Sequence, residues 1–190
     1  MTILILGLIV FLGVHTLTTM RERRTALIEG MGASAYKGAY SLVALLGLVL
    51  IVYGFGAYRA SGYIPVWNPP TWTRHLSLLL VWPAFVALAA TYAPTGKIKS
   101  MLKHPMLVAV KIWALAHLLA NGDLGSMILF GALLAWAVYD RIAVKKRGDM
   151  GPRPTGFNRG DVIALVAGTV GYGLMLWLHP ALIGVSVIGR

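Results

Sequence analysis

The sequence predicts an all-α, polytopic membrane helix bundle of about six transmembrane helices, with both termini on the outer (periplasmic) side. Three observations carry this reading. Of 190 residues, 58% are hydrophobic and 12% charged, and the mean hydropathy is +0.75, more apolar surface than a soluble domain of this size needs. The apolar residues fall into blocks of about 18–22, the length a helix needs to cross a hydrocarbon core. The basic residues fall between the blocks, so the formal charge of +11 marks topology rather than a nucleic-acid binder.

The expected helices run over 2–20, 37–58, 75–92, 105–122, 124–144 and 161–180, in one transmembrane domain covering 1–190. The first, TILILGLIVFLGVHTLTTM, lacks a basic n-region and a small-x-small cleavage site, so it is expected as a retained span. Between the second and third helices, RASGYIPVWNPPTWTR carries Tyr63, Trp67, Trp72 and three prolines, a composition suited to the outer headgroup region. ANGDLGS is too short for anything but a tight turn, so the fourth and fifth helices form an antiparallel hairpin, with Asn121 able to satisfy the last carbonyls of the fourth and Asp123 as the cap of the fifth. KKRGDMGPRPTGFNRGD is polar and rich in Gly and Pro, a solvated linker. The glycines of GTVGYG in the sixth helix permit close helix contact.

Orientation follows from the charges. Arg21, Arg23, Arg24 and Lys37 follow the first helix, Lys97, Lys99 and Lys103 the third, and Arg141, Lys145, Lys146, Arg147, Arg153 and Arg159 the fifth. The opposite side holds Arg59, Arg74 and Arg190. The positive-inside rule places the richer side in the cytoplasm and both termini outside. Lys111 lies within a span and can snorkel to that surface.

Ionisable groups in a span are costly and by default functional, which directs attention to the five histidines. His117 is the deepest, about 18 Å into its helix. Val110, Trp113 and Asn121 share its face, with Met106 further back, a stripe suited to a flat, largely apolar ligand. The competing reading is a neutral histidine bonded to a carbonyl or to Asn121, joining helices. His15 lies near the cytoplasmic end of the first helix, on a face with Leu8, Phe11 and Leu12 and close to Thr16, Thr18 and Thr19; its alternative is an interfacial histidine half in water. His104 precedes Pro105 in KHPM, where the proline starts a helix and holds the preceding residue extended; its alternative is a surface marker beside Lys103. His75 and His179 read as headgroup-level residues.

There are no cysteines, which excludes disulfides, thiolate metal sites, covalent c-type haem and thiol nucleophiles. No Ser/His/Asp arrangement, HExxH or phosphate-cradling glycine loop is present. The six acidic residues lie at helix ends or in loops, which argues against a transporter needing a mid-membrane carboxylate. Two inward histidines on different helices suit axial ligation of haem b, each imidazole giving one nitrogen to iron while apolar walls bury the macrocycle.

KHPMLVAVKIWALAHLLANGDLGSMILFGALLAWAVYDR, with WNPPTWTR upstream and TYAPTGKIKSMLKHPM leading in, resembles the NnrU family of bacterial membrane proteins. The resemblance covers nearly the whole chain and implies a context of nitrite and nitric oxide metabolism in denitrifiers. The family is similar in turn to zeta-carotene isomerase, a membrane enzyme whose haem b iron acts on a carotenoid double bond once reduction frees a coordination position. That similarity implies His117 and His15 as the iron ligands. Ala114 stands where the isomerase has a cysteine, so an exchange to thiolate has no counterpart here.

By helix rise His15 lies nearer the cytoplasmic face than His117 by roughly 10 Å. A tilted haem, or a first helix extending past Thr19, would reconcile them; His15 with His104 matches better in depth. The expected ligand set is therefore His15 and His117 on iron, with His104, Trp113 and Asn121 around the cofactor and an apolar small molecule as substrate. Two other classes compete. KHPM resembles the histidine-proline motif of membrane methyltransferases that bind S-adenosylmethionine, for which Asp149 and Asp161 are the available carboxylates. A cofactor-free membrane scaffold would use the histidines as interhelical hydrogen bonders.

Overall fold

The computed structural model describes residues 1–187 and is helical nearly throughout. Among them the helices are α1 (Thr2–Leu17), α2 (Arg21–Met31), α3 (Ala33–Ala60), α4 (Thr71–Tyr92), α5 (Lys97–Leu102), α6 (Pro105–Ala120), α7 (Leu124–Lys146) and α8 (Arg159–Ile183). Arg190, used above for orientation, lies outside the described residues.

Six of these coincide with the expected helices, and α2 and α5 are additions within the basic connections. α3, α4, α7 and α8 are long and apolar enough to cross a membrane; α1 qualifies only together with α2, from which it bends by 87°. α6 is apolar but has 16 residues, about 24 Å of helix against a hydrocarbon core of about 30 Å. Lengths and composition therefore support four or five spans, where the sequence led us to expect six.

The first helix stops at Leu17 rather than at residue 20, and threonines explain it. Thr16, Thr18 and Thr19 donate their hydroxyls to the carbonyls of Leu12, His15 and Thr16. The bonds to His15 and Thr16 satisfy terminal carbonyls locally and leave the chain free to turn.

The helices pack in the order α3, α1, α7, α6, α4, α8. The α1–α3 contact is the most extensive, and glycine makes it possible. A Cβ on Gly7 would sit 2.6 Å from the Ile51 nitrogen, and one on Gly47 2.7 Å from the Phe11 nitrogen. Of the GTVGYG glycines, Gly168 meets the Val86 backbone and Gly171 the Phe85 ring, while Gly173 faces open space. The core is a cluster of Leu4, Leu8, Ile51, Ala114, Leu129 and Phe130. α3 and α8, at the two ends of the row, turn Leu42, Leu45, Val49, Val52, Val166, Val170, Leu174 and Trp177 outward, the apolar exterior that lipid accepts and water does not.

The tight turn forms as expected. Asp123 caps α7 by accepting from the Ser126 N–H at 2.9 Å. The loop before α4 is tied down as well: Val66 and Trp67 both donate to the Gly122 carbonyl, at 2.8 and 3.0 Å, and Pro65 bridges Asp123. At the other end Asp161, 1% exposed, closes a capping box on α8. It also accepts from the Lys97 and Ile98 N–H groups at 2.9 and 2.6 Å, so one carboxylate joins the starts of α5 and α8.

Candidate functional site: two tethered imidazoles

His117 lies in the last turn of α6. Its Nδ1 is 2.8 Å from the Trp113 carbonyl; a carbonyl only accepts, so Nδ1 carries the proton and Nε2 keeps its lone pair. Trp113 and Phe130 flank the ring, with centroids at 4.7 and 4.5 Å. His15 repeats the arrangement in the last turn of α1. Its Nδ1 is 2.6 Å from the Phe11 carbonyl, and Phe11, Tyr40 and Trp136 surround it at 4.2, 5.6 and 5.7 Å.

The parallel is chemical. Each ring is pinned to its own helix one turn back, and no hydrogen bond reaches either Nε2 among the described residues. This is the tautomer and orientation that metal-binding histidines need, with Nδ1–H on a carbonyl and Nε2 presented. Neither ring hydrogen-bonds across to another helix, as a stitching role would require. The donor chemistry therefore fits axial ligation of haem b, and the lining is aromatic and aliphatic. No group of three or more metal-ligating side chains occurs among the described residues, which sets aside a compact all-protein metal site but does not bear on two axial imidazoles.

α7 relates the two clusters. Trp136, beside His15, and Phe130, beside His117, are six residues apart on it, about 9 Å of rise. Their surroundings are continuous, since Phe11, Leu12, Trp113 and Leu133 all pack on the same core cluster. Neither cavity found at the basic end of the bundle is lined by His15 or His117.

The other candidates fall elsewhere. Trp113 is against His117, as expected. Asn121 is not on the imidazole: its side chain donates to the His117 backbone carbonyl at 2.8 Å, capping α6. His104 faces the linker, with Nε2 3.2 Å from the Asp149 carbonyl and 3.7 Å from its carboxylate. The Gly151 N–H on that carboxylate holds Asp149 below the usual carboxylate range, with His104, Arg147 and Arg21 adding to the effect. Asp161 spends its oxygens on three N–H groups. The KHPM turn thus has its histidine and both nearby carboxylates committed to structure, an unfavourable start for methyl transfer.

Two features escaped the sequence reading. Lys103 sits at φ 62° and ψ −56°, closed by a 2.7 Å bond from the His104 N–H to the Leu102 carbonyl, a strained γ-turn on a non-glycine residue. His179 has its Nδ1 on the Val185 carbonyl at 2.8 Å and lies within electrostatic reach of His117. Its position before Pro180 was the available signal.

The family model described as NnrU protein matches residues 3–187. The chain belongs to the NnrU family. No curated protein and no solved structure matches it.

Proposed function

We propose that this NnrU protein is a haem b protein of the bacterial inner membrane, with His117 and His15 as axial ligands. One observation carries the reading: both intramembrane imidazoles hold Nδ1 on a carbonyl of their own helix and leave Nε2 unengaged. Trp113 and Phe130 form the aromatic wall beside His117. When bound, haem b supplies a redox-active iron with exchangeable axial positions. The side chains fix the imidazole orientations and exclude water. Ala114, fully buried, gives no thiolate, so His104 or an open iron position would have to take that role in any coordination change. The family context favours a redox-dependent isomerisation of an apolar substrate or a response to nitric oxide.

In the same reading the chain crosses the membrane six times with both ends outside, α6 included. Native absence of cysteine makes single-cysteine labelling a direct check: Ser61→Cys should label from the periplasm and Phe157→Cys only after permeabilisation.

The deciding experiment is the absorption spectrum of the purified protein, oxidised and dithionite-reduced, with His15→Ala and His117→Ala. A Soret band with sharp reduced bands, lost or altered in both variants, supports the proposal. A protein that stays colourless after haem addition overturns it, and S-adenosylmethionine binding dependent on His104 would then move the reading to methyl transfer.

A further inference from the structure

The end of the bundle that carries α2 holds a second candidate site, distinct from the one around His117. At about 100° per residue, Leu27, Ile28 and Met31 share one face of α2 with Arg24. Arg21 and Arg23 flank that face, and Glu22 and Glu29 lie opposite. With the 87° bend from α1, this is the pattern of a helix lying in the membrane surface, with arginines at headgroup level and acids toward water.

Two concavities meet there. One is a groove of about 790 Å³ lined by Arg21, Arg23 and Arg147, with Glu22 and Asp149 also on its rim. The other is an apolar notch of about 150 Å³ between α1, α2 and α3, lined by Val14, Leu17, Leu27, Met31, Tyr36 and Ala39 among others. Among the described residues the sole ion pair is His104–Asp149, so Arg21, Arg23, Arg24 and Arg147 have no carboxylate partner at bonding distance.

Tyr36 adds an independent sign. It is 6% exposed, it lines the notch, and its hydroxyl is buried with no hydrogen-bond partner. Arg24 stands over the same ring, 5.8 Å from its centroid. A buried hydroxyl left unpaired is costly, and here it sits where an apolar notch meets a cluster of unpaired positive charge.

We propose that this end of the protein binds one anionic phospholipid. The phosphate lies among the α2 arginines, an ester oxygen meets the Tyr36 hydroxyl, and the start of an acyl chain fills the notch. The juxtaposition suits an anionic amphiphile and neither a free anion nor a zwitterionic lipid.

The test uses the full chain, delipidated in neutral detergent, and follows its melting temperature against added phosphatidylglycerol, phosphatidylcholine or inorganic phosphate. Phosphatidylglycerol alone should raise it. The triple change Arg21→Gln, Arg23→Gln, Arg24→Gln should weaken the apparent affinity about a hundredfold, at about fivefold per arginine. Ala39→Trp, which fills the notch and leaves the arginines intact, should abolish the shift. Tyr36→Phe keeps the ring beneath Arg24, so it should leave the lipid-free melting temperature unchanged or higher while weakening lipid binding several-fold. That readout stands even if Ala39→Trp does not fold. Equal shifts from phosphatidylglycerol and phosphatidylcholine, a shift reproduced by phosphate, or undiminished affinity in Tyr36→Phe would overturn the proposal.

Discussion

Gly122 is the residue at which the 61–70 loop, the α6–α7 turn and the His117 helix are joined, and Gly122→Ala tests that junction. Its backbone has no positive φ, so alanine is conformationally acceptable there. What alanine cannot do is fit. A Cβ would run into the Trp67 carbonyl and stand 2.9 Å from Pro69 Cδ. Those atoms belong to the loop whose Val66 and Trp67 N–H groups bond the Gly122 carbonyl. The loop must lift, losing both bonds at about 1 kcal/mol each. A loss of about 2 kcal/mol should lower the melting temperature by roughly 4–8 °C. Gly131→Ala is the matched control: nothing lies within 4 Å of its would-be Cβ on α7, and alanine is the better helix former by about 1 kcal/mol. Intrinsic tryptophan fluorescence during heating reports both, and limited proteolysis at 61–70 reports loop release. Unchanged melting with a protected loop in Gly122→Ala would refute the strap. Because Asn121 caps the His117 carbonyl one residue earlier, the same variant should also perturb any spectrum that depends on His117.

Three further outcomes follow from the basic end. Lys103→Gly removes a non-glycine γ-turn at φ 62° and should stabilise the protein by about 1–3 kcal/mol, read as a higher melting temperature. Asp161→Asn should destabilise it and speed cleavage of the 147–158 linker, because an amide nitrogen would face one of the three N–H groups that the carboxylate now accepts. Asp149, held below the ordinary carboxylate range by the Gly151 N–H, contributes stability that is present above its unfolded-state value. That contribution is lost as pH falls through the lower folded-state value. The acid-side drop in melting temperature should therefore shrink in Asp149→Asn.

Hydrophobic block length and charge placement made the helix order, the α6–α7 hairpin and the Asp123 cap legible, because each depends on local sequence. The α1 break did not show, since TLTT reads as a polar helix end only once its hydroxyls are seen taking the helix carbonyls. Gly7 and Gly47 looked like ordinary glycines in apolar runs; their role depends on which helix lies opposite, a tertiary fact. Asp161 looked like a free carboxylate because its partners at Lys97 and Ile98 are over sixty residues away. For His117, the face shared with Trp113 was legible, and the tautomer of either histidine was not. Only the structure places a carbonyl on each Nδ1. Asn121 was open to two readings, a lining residue beside His117 or a partner for the last carbonyls of its helix, and it takes the second.

The depth of the two histidines decides how a haem could join them. An imidazole–metal bond is about 2 Å, so two Nε2 atoms on one iron stand about 4 Å apart. Trp136 and Phe130 place the two rings at levels about 9 Å apart along α7. A longer first helix does not close the gap, since α1 ends at Leu17. Ring rotation would break the Nδ1 tethers, and tilting the macrocycle would not lengthen the two imidazole–iron bonds, so loading would have to shift α1 against α7. Haem addition should then disturb the Trp136 indole, whose Nε1–H now donates to the Thr16 hydroxyl at 3.2 Å, and its emission should change beyond simple quenching relative to Trp136→Phe. His15→Ala should convert a six-coordinate low-spin spectrum to a five-coordinate one, while His117→Ala loses the cofactor. A low-spin spectrum that survives His15→Ala and disappears in His179→Ala would place the second ligand on α8. His179 holds its own Nδ1 on a carbonyl and lies at the same end of the bundle as His117. His15 would then be an aromatic contact between α1, α3 and α7, and the bis-histidine pairing with His117 would be refuted.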